Sequence, residues 1–142
     1  MLATWIPREG LMNEGLTISK TEGKVLVMHL AGMLDGQSHE ALYNAARAEH
    51  DAGAKFLVID LHQLEVITSA GLGALHNIYK LFTPKQEIET WEKEKHGVPY
   101  KSAYFKLAAA PSNIYYVLNI AGFLSNIPVY PDLPEALASF PS

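Results

Sequence analysis

The sequence predicts an α/β domain: a mixed, mostly parallel β-sheet packed with about four α-helices and entered through an N-terminal β-hairpin. Three observations carry this. Predominantly apolar runs of strand length recur at 25–31, 55–61 and 104–110. A stretch with helical spacing of apolar residues follows each of them. Two short apolar runs within 15–32 are split only by "KTEG". The 142 residues suit one domain, 1–142, with 1–14 as an N-terminal extension and 83–101 as a charged insertion.

The elements follow in order. "GLTISKTEGKVLVMHLAG" (15–32) reads as the hairpin, with Gly23 supplying a turn position that tolerates positive φ. In Val25–Ala31 both faces are apolar apart from His29, which implies a strand covered on both sides. Ser38 is placed to cap a helix over 39–52 that stops at Gly53. "KFLVIDL" (55–61) is a buried, parallel-type strand. Leu72, Leu75, Ile78, Tyr79 and Phe82 mark one face of a helix from about Ala70 to Phe82, closed by Pro84. "YFKLAAA" (104–110) is the next strand. Pro111–Ser112–Asn113 opens a helix with Ile114, Val117 and Leu118 inward and Gly122 as its end. "IPVY" (127–130) is a short strand. Asp132 and Glu135 have capping-box spacing before a last helix carrying Ala136, Leu137 and Phe140. The connector 83–101 is polar, with a helical turn or two supported by a Glu89–Lys93 pair. Trp91 within it reads as an anchor on the body or as a partner contact.

Composition excludes several functions. With no cysteine there is no disulfide, thiolate metal site or Cys nucleophile. A net charge of −4 without a basic cluster argues against direct nucleic-acid binding. No apolar run reaches the length of a membrane span or a signal peptide, so the expectation is a cytoplasmic protein. The six histidines (29, 39, 50, 62, 76, 96) show no metal-ligand spacing, and neither a metal nor another cofactor is expected. Asp35 and Asp60 each end an apolar run; together they suit either acid–base chemistry at one sheet edge or ordinary turns.

The most informative stretch is "ITSAGLGAL" (67–75), where a strand meets a helix. As a hydrolase elbow it is incomplete: Ile67 stands where a glycine is needed, and His76 is about 10 Å along the helix from Ser69. As a dinucleotide fingerprint it lacks the third glycine, His76 occupying that place. Two readings remain. Ser69 caps the helix, or its hydroxyl accepts a phosphate. A helix N-terminus stabilises an anion, and the small residues after Ser69 let one approach the backbone.

"GMLDGQSHEAL", "FLVIDLHQLEVITSAGLGAL", "FKLAAAPSNIYYVLNIAGF" and "IPVYPDLPEAL" together resemble the STAS domain of bacterial anti-sigma factor antagonists, over about residues 15–140. The resemblance implies a STAS-like fold without catalysis, an enzyme reading such as a small serine hydrolase being the weaker alternative. It also implies partner switching. The unmodified protein binds an anti-sigma factor with serine kinase activity and frees a sigma factor; phosphorylation of the motif serine separates them, and a serine phosphatase restores the first state. By position, Ser69 matches the phosphorylated serine and Asp35 the acidic residue near it. Gly71, Leu72 and Gly73 match the helix-opening motif. Thr68 replaces the frequent Asp and becomes a second acceptor; Ala70 replaces a frequent Ser. "TSAGL" also resembles scaffold members of stress-signalling assemblies, which makes a homodimer or a complex with related STAS chains the alternative. The insertion 83–101 is longer than is usual in the family and is expected to tune partner choice or oligomerisation.

Overall fold

The computed structural model describes residues 11–13, 15–95 and 97–141, so the predicted extension 1–14 and His96 lie mostly or wholly outside the described residues. The strands are β1 (Leu11–Asn13), β2 (Leu16–Thr21), β3 (Val25–Leu34), β4 (Phe56–Ile67), β5 (Phe105–Ala108) and β6 (Val129–Tyr130). The helices are α1 (His39–Asp51), α2 (Ser69–Phe82), α3 (Lys85–Glu94), α4 (Ser112–Ile120) and α5 (Leu133–Ala138). The strands form one sheet in the order β1-β2-β3-β4-β5-β6. β1–β2 and β2–β3 are antiparallel; β3 through β6 run parallel. The hairpin and the parallel half therefore match the expected architecture. The described residues hold one more strand and one more helix than anticipated.

Helices α1, α2 and α4 cover one face of the sheet. Leu42 and Ala46 of α1, Leu75 and Ile78 of α2, and Ile114 and Leu118 of α4 bury themselves against Ile18, Met28, Leu30, Leu57, Ile59 and Phe105. Each fully buried aliphatic side chain of this set contributes about 1.5–3 kcal/mol relative to exposure. α5 packs on the opposite face, where Ala136 and Phe140 meet Phe56, Val58 and Ala108. That second face is covered only in part, and this is where His29 lies.

Several local expectations change. Gly23 closes its turn without a positive φ. β4 runs on to Ile67, so Asp60 is mid-strand rather than terminal. Residues 85–94 form a continuous helix, and the ion pair along it is Lys85–Glu89 at 4.0 Å rather than Glu89–Lys93. Leu137 does not turn inward but is 37% exposed. The stops hold: Gly53 and Gly122 follow α1 and α4 with left-handed φ of 111° and 81°.

Candidate functional site

The junction between β4 and α2 begins with Thr68. Its extended backbone (φ −110°, ψ 178°) makes it the N-cap residue. Its N–H donates to the Leu34 carbonyl at 3.0 Å, and its own carbonyl accepts the Leu72 N–H at 2.9 Å. Its Oγ1 is buried and has no hydrogen-bond partner among the described residues. Ser69 is thus the first helical residue, not the cap. It is exposed, and no hydrogen bond engages its hydroxyl among the described residues. The N–H groups of Ser69, Ala70 and Gly71 have no carbonyl one turn earlier to bond, so the tip carries three free donors and the positive end of the helix dipole.

The two glycines of the motif do different things. A Cβ on Gly71 would lie 2.6 Å from the Leu34 carbonyl oxygen and 2.8 Å from Leu34 Cγ. Only a residue without a side chain lets the first turn of α2 approach β3 this closely. A Cβ on Gly73 would meet nothing within 4 Å, because that position faces outward.

Asp35 follows Leu34 directly, so the chain brings it beside the tip. Its Oδ1 accepts the N–H of Gln37 at 3.0 Å and that of Ser38 at 3.3 Å, while its carbonyl accepts the His39 N–H at 2.9 Å. Asp35 therefore does the capping work expected of Ser38. The Ser38 hydroxyl is fully buried and spans the turn instead, donating to the Met33 carbonyl at 2.8 Å and accepting from the Asp35 N–H at 3.0 Å. Met33 and Val66 are register partners one pair before Leu34–Ile67, and both are exposed, 40% and 42%. They form an apolar rim next to the tip that the sequence did not single out. The available signal was a pair of apolar residues at strand ends beyond the core runs.

Asp60 belongs elsewhere. It is 4% exposed on the partly covered face and joins a chain of side chains. Thr21 Oγ1 bonds His29 Nε2 at 2.9 Å, and His29 Nδ1 bonds Asp60 Oδ2 at 2.9 Å. His62 Nδ1 lies 3.0 Å from Asp60 Oδ1. Burial opposes ionisation of Asp60, but the hydrogen bonds from His29 and His62 outweigh it and hold its carboxyl below the usual value. Six strand positions separate His29 from Asp35, about 20 Å, so the two carboxylates do not share a sheet edge. His76 stacks on Tyr79 and meets Phe123 edge-on, so it is engaged away from Ser69. The described residues contain no group of three or more metal-binding side chains arranged to hold a metal ion, and no helix long and apolar enough to cross a membrane.

The chain and its fold have known counterparts. The sequence profile of the family described as "Mlab, STAS domain" matches residues 19–87. BtrV of Bordetella bronchiseptica, named as a candidate anti-sigma factor antagonist, is 29% identical over 126 residues, 88% of this chain and 93% of its own. The crystal structure of an anti-sigma factor antagonist from Mycobacterium paratuberculosis superposes with a TM-score of 0.68 at 25% identity, covering 87% of this chain and 92% of that one. SpoIIAA, in its unphosphorylated form, shares the fold at a TM-score of 0.61 and 15% identity, over 86% and 92% of the two chains. Residues 19–87 thus match a STAS-domain profile, and over most of its length the chain is similar to proteins named as anti-sigma factor antagonists.

Proposed function

We propose that this chain is a cytoplasmic anti-sigma factor antagonist that works by partner switching, with Ser69 as the modified residue. The unmodified tip docks on an anti-sigma factor with serine kinase activity and displaces a sigma factor. Phosphorylation of Ser69 ends the contact, and a serine phosphatase restores it. The observation that carries this reading is the exposed, unbonded Ser69 hydroxyl above three free amides. The names of BtrV and of the mycobacterial structure support the partner class. Met33 and Val66 supply apolar surface for the docked partner.

The switch is electrostatic. A phosphate adds about 1.5–2 negative charges at pH 7. In the free protein that charge faces the helix amides and water. Within an interface it loses its water and lies near the Asp35 carboxylate. A penalty of about 3 kcal/mol lowers affinity roughly a hundredfold. Thr68 is the poorer acceptor, because a kinase would have to extract its buried Oγ1 from beneath the helix end.

The test uses ATP and the partner kinase recovered from the native host. One phosphate is expected on Ser69 and none in Ser69→Ala. Ser69→Asp is expected to weaken kinase binding by one to two orders of magnitude in calorimetry, with the unfolding midpoint unchanged. A phosphate mapped to Thr68, or full affinity in Ser69→Asp, overturns the assignment.

A further inference from the structure

Helix α3 meets the main core through the half-buried Ile88. None of its residues is buried, yet one side of it is ordered by a compact set of contacts. Trp91 Nε1 donates to the Val98 carbonyl at 2.7 Å, and the Trp91 and Tyr100 rings meet edge to face, 5.9 Å apart at 75°. The phenols of Tyr100 and Tyr104 both donate to the Glu87 carboxylate, one to each oxygen. A surface groove runs between the helix and this segment, lined by Glu87, Thr90, Trp91, Glu94 and Tyr100, and no lysine or arginine lines it.

Those walls have a definite chemical preference. A nearly perpendicular indole and phenol present aromatic surface to the groove, and aromatic faces attract cations. Two carboxylates border the same space, so its charge is negative at both Glu87 and Glu94. The ring already attracts a cation from within the chain: Lys95 Nζ lies 5.9 Å from the Trp91 ring centre. Lys95 lines the neighbouring depression with Glu92 and Val98, so among the described residues no lysine or arginine lines this groove itself. The Glu87 carboxylate is held in place by the two phenols, so binding costs it little side-chain entropy.

We propose that this groove receives an arginine-bearing basic segment of a partner protein, the guanidinium lying against Trp91 and pairing with Glu94 and Glu87. Arginine suits the site better than lysine, because a planar guanidinium stacks on an indole and pairs a carboxylate through two N–H groups at once. The site is separate from the phosphorylation tip. α2 spans 14 residues from Ser69 to Phe82, about 20 Å, and the groove begins at Pro84 beyond its far end. At that distance, about two Debye lengths in physiological salt, a charge on Ser69 is largely screened from the groove. The contact is therefore one that persists in both states of the switch.

The experiment titrates the full chain with a synthetic peptide of alternating arginine and alanine, and with the same peptide carrying citrulline for arginine. The readout is the Trp91 indole N–H resonance, assigned by its loss in Trp91→Phe. The arginine peptide is expected to shift this resonance saturably, with at least tenfold weaker binding of the citrulline peptide. Glu94→Gln, at an exposed position, is expected to weaken the arginine peptide by a similar factor while leaving the rest of the spectrum in place. Ser69→Asp is expected to bind the peptide as the parent does, which separates this site from the phosphorylation reading. An unmoved indole, equal shifts with both peptides, or loss of binding in Ser69→Asp overturns the proposal. So does a shift with protein concentration alone, which would assign the groove to a second copy of this chain.

Discussion

At its N-terminal end α2 is seated through backbone: Gly71 lies so close to β3 that a Cβ would come 2.6 Å from the Leu34 carbonyl oxygen. At its C-terminal end the chain is held through side chains. The buried Thr83 and Ser102 hydroxyls bond at 2.8 Å, and Ser102 Oγ also accepts the N–H groups of Tyr104 and Phe105. The first kind of seat leaves no side chain projecting above the helix tip, so Ser69 stands in solvent over bare amides. The second uses polar side chains, and the polar, aromatic groove of α3 grows out of it. One helix thus separates a surface suited to a covalent anion from a surface suited to a cation.

The sharpest way to break this comparison is at Gly71. Gly71→Ala is expected to cost about 1–3 kcal/mol, because the obstacle is a backbone carbonyl that cannot swing aside. Gly73→Ala, two residues on and facing open space, is expected to be neutral or to stabilise by up to about 1 kcal/mol through helix propensity. Chemical denaturation of the two variants measures both, and equal effects would show that the tip is not seated by close approach.

Alkaline titration sharpens the other end. Burial, with the nearby Glu87 carboxylate, pushes the Tyr100 phenol up to about 12. The folded state thus keeps a proton that the unfolded state releases near pH 10. The contribution of Tyr100 is whole below that pH and is lost as pH rises toward 12. Tyr100→Phe is expected to flatten stability over that window, as followed by thermal melts. The first turn of α2 (Ser69, Ala70, Gly71, Leu72) has no group that titrates there.

The smallest expected effect is at Thr68. Thr68→Val keeps the branched shape and removes a buried hydroxyl that bonds nothing among the described residues, so the unfolding free energy is expected to stay or rise by up to about 1 kcal/mol. A loss larger than that would mean the hydroxyl caps α2 after all.

Much of the sheet was legible because its strands carry continuous apolar runs and its front helices a clean apolar stripe. The stretch of β4 beyond Leu61 was not, since His62, Gln63 and Glu65 interrupt the run where the strand leaves the core. α3 was read only as a turn or two for a related reason. It buries no residue, so it has no apolar stripe to reveal it. At the tip, the sequence identified Ser69 and the small residues after it. It could not separate Gly71 from Gly73, because only the approach of Leu34 distinguishes them. Nor could it show that Thr68 takes the cap position, since serine is as good a cap by type. The bonds of Asp60 to His29 were also hidden. Thirty-one residues separate the two, and strand register alone makes them neighbours.

The hydrogen bonds running from Thr21 through His29 to Asp60 cross three adjacent strands, β2, β3 and β4. They rivet the hairpin to the parallel half of the sheet on the side away from α1 and α2. Loosening of the hairpin edge would therefore be transmitted to the central strand whose far end leads into Thr68. Slow amide exchange in β2 and β4 is expected to rise together when that rivet is cut.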